Sequence, residues 1–341
     1  MKFIFRAAGR RRNFEDYGST LLYFLGFVAS TAQDADLRRM AREKGEVCFG
    51  WWRRRRGHLP ADAGAETIAD FVHGYGAAER LGFRSQRLKT QLRQAAAACP
   101  VEDYLWFDPL VEPPPEDIPE PCVCGTPGAR GHKTCRNRQC RKRLRLMSRY
   151  KVWYTALTAA FCGEQYEVPL GARYKDVLRW LPAMRPYRGW EGGRNPDFYD
   201  SVYAVTHVVY TLNDYGVYLL SPRWLPDEFA FLKSNLPVAM ALDDPDMAGE
   251  FMDALLAFGL TDGHPLMRAG IDYLLSKQNP DGSWGDLNVA EVAYRFHPTW
   301  TAIDGLRDYA WRGVGLKFPE LKPRLRRWAR ENKHDRAATG A

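Results

Sequence analysis

One frame of polar residues occurs twice within apolar segments, and it limits the possible folds more than any other feature of this chain. In each copy a histidine is followed by a threonine four residues later and by an aspartate seven residues later. The first copy is His207, Thr211 and Asp214, and the second is His297, Thr301 and Asp304. In a helix of 3.6 residues per turn these positions share one face. Two such helices favour a repeat fold whose inner helices converge on a common site.

Four further segments fit the same repeat. In five segments an aromatic or apolar helical stretch ends at a glycine, and the residue nine positions before that glycine is the equivalent position. The sixth position is the histidine of the second copy of the frame. The six positions are Tyr17, His73, Tyr154, His207, Glu250 and His297. Self-similarity at intervals of this kind is typical of repeat architectures. Amphipathic second helices are predicted between them, approximately over 34–45, 84–98, 172–182, 225–241, 265–277 and 318–331. The sequence therefore predicts an all-α fold of six αα-hairpins.

Residues 108–147 interrupt this repeat. The segment Pro109–Pro121 is rich in proline and glutamate, a composition that does not form a helix. We therefore expect an insertion over 108–147 between the helical parts 1–107 and 148–332. Residues 333–341 are predicted to form a disordered tail.

The insertion contains four of the seven cysteines. Cys122, Cys124, Cys135 and Cys140 lie within nineteen residues, with glycine and proline between them. Four soft ligands at short spacing favour a closed, tetrahedral structural zinc site resembling a zinc knuckle. A pair of disulfides, free thiols and an iron–sulfur cluster are the alternatives. Arginines from 136 to 145 flank the cysteines without interleaved aromatic residues, which favours a surface for a partner protein over nucleic-acid binding.

One hairpin resembles a known repeat. In residues 268–286 a helix with Tyr273, Leu274 and Leu275 ends at Gln278, and a turn leads to Gly282-Ser283-Trp284. This resembles the QW repeat of terpenoid cyclases and protein prenyltransferases. The resemblance implies a toroid of six αα-hairpins around a central cavity. In protein prenyltransferase β subunits the following helix carries a zinc-ligand histidine, and His297 falls on that position.

The sequence departs from the catalytic motifs of these families. Class II terpene cyclases use Asp-x-Asp-Asp as the proton donor, whereas this chain has Asp243-Asp244-Pro245-Asp246, which we expect to cap a helix. Prenyltransferases supply an aspartate and a cysteine as the other zinc ligands. The matching positions here hold His207 and Glu250, so the fold is expected to carry over without the chemistry.

The last three equivalent positions form a possible metal site. His207, Glu250 and His297 are the two histidines and one carboxylate of the facial triad of non-haem iron oxygenases, and the same set suits a catalytic zinc. His73 is a candidate fourth ligand, which would suit copper, or a general base. A hydrogen-bonded core role for each histidine, with His297 as a helix cap, is the alternative.

Other polar and aromatic residues are expected to line the cavity. The candidates for catalytic groups are Tyr17, Tyr154, Asp214 and Asp304. Glu250 and Asp253 lie three residues apart on one helix and form a possible acid–base pair.

Charge and cysteine usage limit the setting and the partners. The formal net charge is +8, and the arginine-rich patches indicate either solvated surface or attraction to an acidic substrate or acidic carrier protein. The sequence indicates no signal peptide and no apolar run long enough for a membrane span. The odd number of cysteines favours a reducing, cytoplasmic environment. The oligomeric state is not predicted.

These observations together predict a metal-dependent enzyme that acts on a small organic molecule in the cavity. We expect an oxidoreductase or oxygenase with iron, copper or zinc held by inner helices. A terpenoid cyclase or prenyl-transfer enzyme is the first alternative, and a non-catalytic helical interaction module is the second.

Overall fold

The computed structural model describes residues 1–126, 128–289 and 291–339, and apart from isolated β-bridges their regular secondary structure is helical. Six helices contain the six equivalent positions. They are α2 (Arg11–Thr31), α4 (Ala65–Arg80), α7 (Arg149–Tyr166), α10 (Phe198–Leu212), α12 (Pro245–Ala257) and α14 (Ala293–Leu306). The other α-helices of the described residues are α1 (Lys2–Ala8), α3 (Ala35–Arg55), α5 (Gln86–Ala96), α6 (Val101–Leu105), α8 (Tyr174–Leu178), α9 (Leu181–Met184), α11 (Pro226–Ala241), α13 (Pro265–Ser276) and α15 (Lys322–Thr339), and Glu191–Gly193 and Pro319–Leu321 are short 3-10 helices. The all-helical fold class is confirmed.

Local sequence explains where several helices begin. The side chain of Ser148 accepts a hydrogen bond from the backbone N–H of Lys151 at the start of α7. Asp244 caps α12 in the same way, and Pro245 occupies the first helical position, where the absent N–H has no helical partner to lose. The expected capping role of the Asp243–Asp246 segment is therefore confirmed. The starts of α7 and α12, which carry Tyr154 and Glu250, are thus well defined.

The six helices that hold the equivalent positions follow one another as neighbours. In chain order α2 contacts α4, α4 contacts α7, α7 contacts α10, α10 contacts α12, and α12 contacts α14. The last of these helices also contacts the first. The rings of Phe24 on α2 and Trp300 on α14 lie 5.5 Å apart. This closed order of neighbours is what six αα-hairpins in a ring require. The ring shape of the toroid itself stays a prediction.

The second helices match the predicted ranges unevenly. The helix predicted over 225–241 corresponds to α11, and the one over 265–277 corresponds to α13. Around 172–182 the structure has two short helices, α8 and α9, because Pro182 lies where a longer helix would continue. The predicted tail over 333–341 overlaps the end of α15, and residues 340 and 341 lie outside the described residues.

The insertion over 108–147 has no helix among its described residues. Two isolated antiparallel bridges hold it together, one between Pro119 and Leu146 and one between Thr134 and Arg143. At its end the chain enters α7 directly. The insertion is therefore attached to the helix that carries Tyr154.

No helix in the described part of the chain is long and apolar enough to cross a membrane.

Candidate functional site

Helices α12 and α14 touch through their backbones. A Cβ atom on Gly249 would lie 2.6 Å from the carbonyl carbon of Thr301, and one on Gly305 would lie 2.8 Å from the carbonyl oxygen of Gly249. Only glycine allows helices to approach so closely. On α12, Asp246 lies three residues before Gly249, and Glu250 directly follows it. The close approach of the helices brings both side chains next to His297 on α14.

A series of three ionisable side chains crosses this interface. The Nδ1 atom of His297 lies 2.8 Å from Oδ1 and 3.0 Å from Oδ2 of Asp246. On the other side of the ring, Nε2 of His297 lies 3.8 Å from Oε1 of Glu250. Thr301 donates a hydrogen bond of 2.9 Å to Asp246 Oδ1, which fixes the carboxylate that orients the imidazole. The arrangement is carboxylate, imidazole, carboxyl, with the histidine in the centre.

Burial separates the two ends of this series chemically. Glu250 is only 2% exposed, and burial raises its pKa to about 8, against the opposing effects of His297 and the Thr206 hydrogen bond. Burial acts to lower the pKa of His297, but the charge and hydrogen bonds of Asp246 outweigh it and raise this pKa to about 9. At neutral pH Glu250 is therefore a neutral acid, and His297 is a cation paired with Asp246.

His207 has the opposite protonation behaviour. Its Nδ1 lies 2.8 Å from the carbonyl oxygen of Tyr203, which can only accept, so Nδ1 carries the proton and Nε2 is left as an acceptor. Burial, reinforced by the charge of His297, lowers the pKa of His207 to about 4. The site thus places a neutral imidazole and a neutral carboxylic acid in one environment.

Two hollows meet at these histidines. An inner cavity of about 230 Å³ is lined by His73, His207, Glu250, His297 and Asp304, together with aromatic side chains and threonines. An outer cleft of about 740 Å³ is lined by Tyr154, Tyr203 and acidic residues at the start of α12, and again by His207 and His297. The two histidines therefore lie between the cleft and the cavity.

His73 lies in the inner cavity but in a different environment from the other histidines. Its ring stacks on Tyr23 with the ring centroids 4.3 Å apart, and its Nδ1 lies 3.6 Å from the Cys162 sulfur. Burial lowers the pKa of His73 to about 4. The three histidines among the four predicted metal ligands thus line one cavity, with His73 held against the ring of Tyr23.

The predicted ligand atoms do not form a metal site in this structure. Among the described residues, the four cysteines of the insertion are the only group of three or more His, Cys, Asp or Glu residues whose ligand atoms all lie within 4.8 Å of one another. The ligand atoms of His207, Glu250 and His297 do not form such a group, so a catalytic metal held by these three residues stays a prediction. The hydrogen bonds of the two histidines to the Tyr203 carbonyl and to Asp246 involve Nδ1 and do not occupy Nε2.

The other predicted catalytic residues have different positions. Tyr154 lines the outer cleft, and its ring lies 5.2 Å from that of His207. Tyr17 packs on Phe296 with ring centroids 5.4 Å apart and does not line either hollow. Asp304 lines the inner cavity, where Trp300 and Arg307 donate hydrogen bonds to its carboxylate.

Asp214 was expected on the same helical face as His207, but it lies beyond the end of α10. Its φ of 58° is left-handed, and Gly216 follows with a φ of 95°, so the chain turns here instead of continuing as a helix. The carboxylate of Asp214 pairs with Arg80 and with Lys317. These pairs tie α4 and the segment before α15 to the end of α10.

Asp246 is the main site residue that the sequence pattern does not reveal, because the pattern indicates only a capping segment at the start of α12. The spacing of four residues to Glu250 was the signal that could have found it, because it places both side chains on one face of α12. Asp253, one turn further, lines the inner cavity; burial and the nearby Asp304 raise its pKa to about 7.

The four cysteines of the insertion form a second, separate site. Cys122 and Cys140 have their sulfurs 3.5 Å apart, and those of Cys124 and Cys135 are 3.6 Å apart. A tetrahedral zinc with Zn–S distances near 2.3 Å requires sulfurs about 3.8 Å apart. All four sulfurs lie within 4.8 Å of one another, so the cluster fits a structural zinc. The cysteines are not disulfide-bonded.

Comparison with known proteins gives one match. A family model described as a domain of unknown function (DUF6895) matches residues 197–297, less than a third of the chain. The matched segment contains His207, Asp246, Glu250 and His297. Neither the curated proteins nor the solved structures give a match.

Proposed function

We propose that this protein is an enzyme that carries out general acid–base chemistry on a small neutral or cationic molecule in the inner cavity. The observation that carries the proposal is the series Asp246, His297 and Glu250 at the junction of the outer cleft and the inner cavity. In the same environment the pKa of Glu250 is raised and that of His207 is lowered, and such opposite shifts in neighbouring groups are a common feature of acid–base active sites.

Glu250 is the proposed general acid. The Thr206 hydroxyl donates a hydrogen bond to Oε2, so the acidic proton is assigned to Oε1, which faces His297. Glu250 gives this proton to a heteroatom of the substrate, and the carboxylate that remains is stabilised by the His297 cation. Because His297 also lines the outer cleft and its side chain is 41% exposed, it can return a proton from solvent to Glu250.

His207 is the proposed proton acceptor. The Tyr203 carbonyl fixes its tautomer, leaving Nε2 with a free lone pair. Its lowered pKa keeps it uncharged at neutral pH, so it can take a proton from the substrate and, since it also lines the outer cleft, release that proton to solvent afterwards. Donation of one proton to the substrate and removal of another from it correspond to an isomerisation, an elimination or an addition at a polarised bond.

The lining of the hollows favours a neutral or cationic substrate over the acidic one suggested by the net charge. Carboxyl groups and aromatic rings line the inner cavity, and the cations of His297 and Arg307 are paired with Asp246 and Asp304. Asp243, Asp244 and Asp246 line the outer cleft. Aromatic faces and carboxylates attract cations and repel anions.

The metal-dependent oxidoreductase predicted from the sequence is the second candidate. It is favoured by the fact that its three proposed ligands all line the inner cavity. It requires the ligand atoms of the three residues to come closer together than they lie in this structure. Metal content separates the candidates: the acid–base enzyme contains only the zinc of the cysteine cluster, whereas the oxidoreductase contains a second metal that is lost in the His207→Ala/His297→Ala variant.

Activity is tested by incubating the protein at pH 7 with fractionated small-molecule extracts of cells and following all ions by mass spectrometry. We expect the wild type to convert at least one neutral or cationic species. The Glu250→Gln variant should slow this conversion by about 10²- to 10⁴-fold. Glu43→Gln, an exposed change on α3, is the control and should act like the wild type. No conversion by the wild type, or equal rates for Glu250→Gln, would sink the proposal.

A further inference from the structure

A third hollow has the opposite charge to the candidate active site. This cleft of about 510 Å³ lies between the start of the chain and the beginning of α14. Its polar lining consists of Arg6, Arg10, Arg12, Asn13, Asp281 and Arg295. Four guanidinium groups face one carboxylate, which gives the lining a formal charge of +3. No residue of this cleft lines the outer cleft or the inner cavity.

Arg295 is fixed in place and still has an unused donor. Its Nη1 lies 3.1 Å from Asp281 Oδ2, and its guanidinium lies over the ring of Phe3 at 4.9 Å from the ring centroid. Its Nε is buried and has no hydrogen-bond partner within the described part of the structure. A buried N–H without an acceptor costs free energy, so a bound acceptor at this position would be stabilised.

The other arginines of the cleft have few partners. Arg6 donates a hydrogen bond of 3.3 Å from Nε to the carbonyl oxygen of Lys2. The side chains of Arg10 and Arg12 are exposed and make no ion pair with any described residue. Elsewhere on the surface, arginines such as Arg130 and Arg188 are neutralised by glutamate or aspartate. The positive charge of this cleft is therefore available to a ligand.

We propose that this cleft binds the phosphate group of a small phosphorylated molecule. Guanidinium groups form paired hydrogen bonds with phosphate oxygens, and several of them match a group that carries about two negative charges. Phe3, Ala7 and Val292 supply an apolar wall against which the organic part of the ligand packs. The volume lies in the range of small-molecule sites, about 300–1,000 Å³.

This site goes beyond the proposed acid–base function and does not depend on it. Arg295 lies two residues before His297 on α14, but the two side chains line different hollows. A phosphorylated ligand is repelled by the carboxylates of the outer cleft and attracted by the arginines here. The two sites thus have opposite charge and are expected to bind different molecules.

The test is isothermal titration calorimetry of the full chain with pyrophosphate and with inorganic phosphate at constant ionic strength, with chloride and acetate as reference anions. We expect saturable binding of the phosphates and at least tenfold weaker binding of acetate. The Arg10→Gln/Arg12→Gln variant should weaken phosphate binding at least tenfold. These side chains are exposed and unpaired, so the variant is expected to fold.

The matched control is Arg84→Gln/Arg87→Gln, which removes the same charge from exposed positions outside the cleft. It should bind phosphate as the wild type does, and so should Glu250→Gln. Arg295→Lys keeps the charge but removes the forked donor, and it should also weaken binding. Absence of saturable phosphate binding to the wild type, or equal weakening in both double variants, would overturn the proposal.

Discussion

His297 and Asp246 form an ion pair across the interface of α14 and α12, with His297 Nδ1 2.8 Å from Asp246 Oδ1. The pair exists because Gly249 and Gly305 let the two backbones touch. Its consequence is that an imidazole next to a buried carboxyl group stays protonated at neutral pH. The protonation states of Glu250 and His297 at neutral pH therefore depend on the close packing of α12 and α14 as well as on the two side chains.

Replacement of Asp246 by Asn should lower the pKa of His297. Without the carboxylate charge, burial is the main remaining influence, so the pKa should fall from about 9 to below 6.5. NMR titration of labelled histidine measures this directly. The control is Asp243→Asn, whose carboxylate pairs with Lys277 and should leave the histidine unchanged. A His297 pKa that stays near 9 in Asp246→Asn would contradict the assigned pair.

Folding stability should fall as the pH rises from 6.5 to 9. His297 has a pKa raised to about 9 from 6.5, so its stabilising contribution is complete below pH 6.5 and is lost as the pH passes 9. Glu250 acts in the same direction, because its pKa is raised to about 8 from 4.5. Urea unfolding at pH 6.5, 8 and 9 measures the slope.

The Glu250→Gln variant provides the comparison for this slope. Glutamine does not ionise, so the loss of stability between pH 6.5 and 8 should be smaller than in the wild type. The exposed Glu43→Gln change should leave the slope unaltered. Parallel curves for the wild type and Glu250→Gln would mean that Glu250 does not titrate in this range.

The cysteine cluster should hold one zinc per chain. Replacement of buried Cys135 by Ser should remove the metal, since the site then has three thiolates and one weak ligand. Elemental analysis gives the zinc content, and substitution with cobalt should give the visible absorption of tetrahedral thiolate ligation. Cys99→Ser, outside the cluster, is the control and should retain zinc. A wild-type protein purified without metal that also fails to bind added zinc would refute this site.

Gly249→Ala should separate α12 from α14. A Cβ at this position would lie 2.6 Å from backbone atoms of Thr301, which cannot move aside without shifting the helix. We expect a loss of about 1–3 kcal/mol in the free energy of unfolding and a fall in the pKa of His297. Gly50→Ala on α3 is the control: its Cβ would have ordinary contacts, and the change should stabilise the helix.

The sequence predicted correctly that the six equivalent positions lie in six different helices, because the signal was local. Each of the six residues lies in a separate long helix, as the glycine-based count required. The His-Thr-Asp frame misplaced Asp214, because residues before Gly216 adopt left-handed conformations that end the helix early. A frame read at 3.6 residues per turn assumes that the helix continues, and here it does not.

The site was harder to predict than the fold. The convergence of His207, Glu250 and His297 on one cavity followed from their equivalent positions. Their ligand atoms do not meet at a common point, because the repeat pattern fixes the helical position of each residue but not the direction of its side chain. Asp246 reaches His297 only through the close packing at Gly249, which is a tertiary contact with no signal in either helix alone.

The ionisation of Glu250 is the most direct test of the acid–base proposal. It is measured by ¹³C NMR titration of glutamate side chains, with the Glu250 signal assigned from its absence in Glu250→Gln. We predict a pKa near 8 for Glu250, so that the group is protonated at pH 7. A Glu250 signal that titrates near 4.5 would show an ordinary carboxylate and would contradict its role as the proton donor.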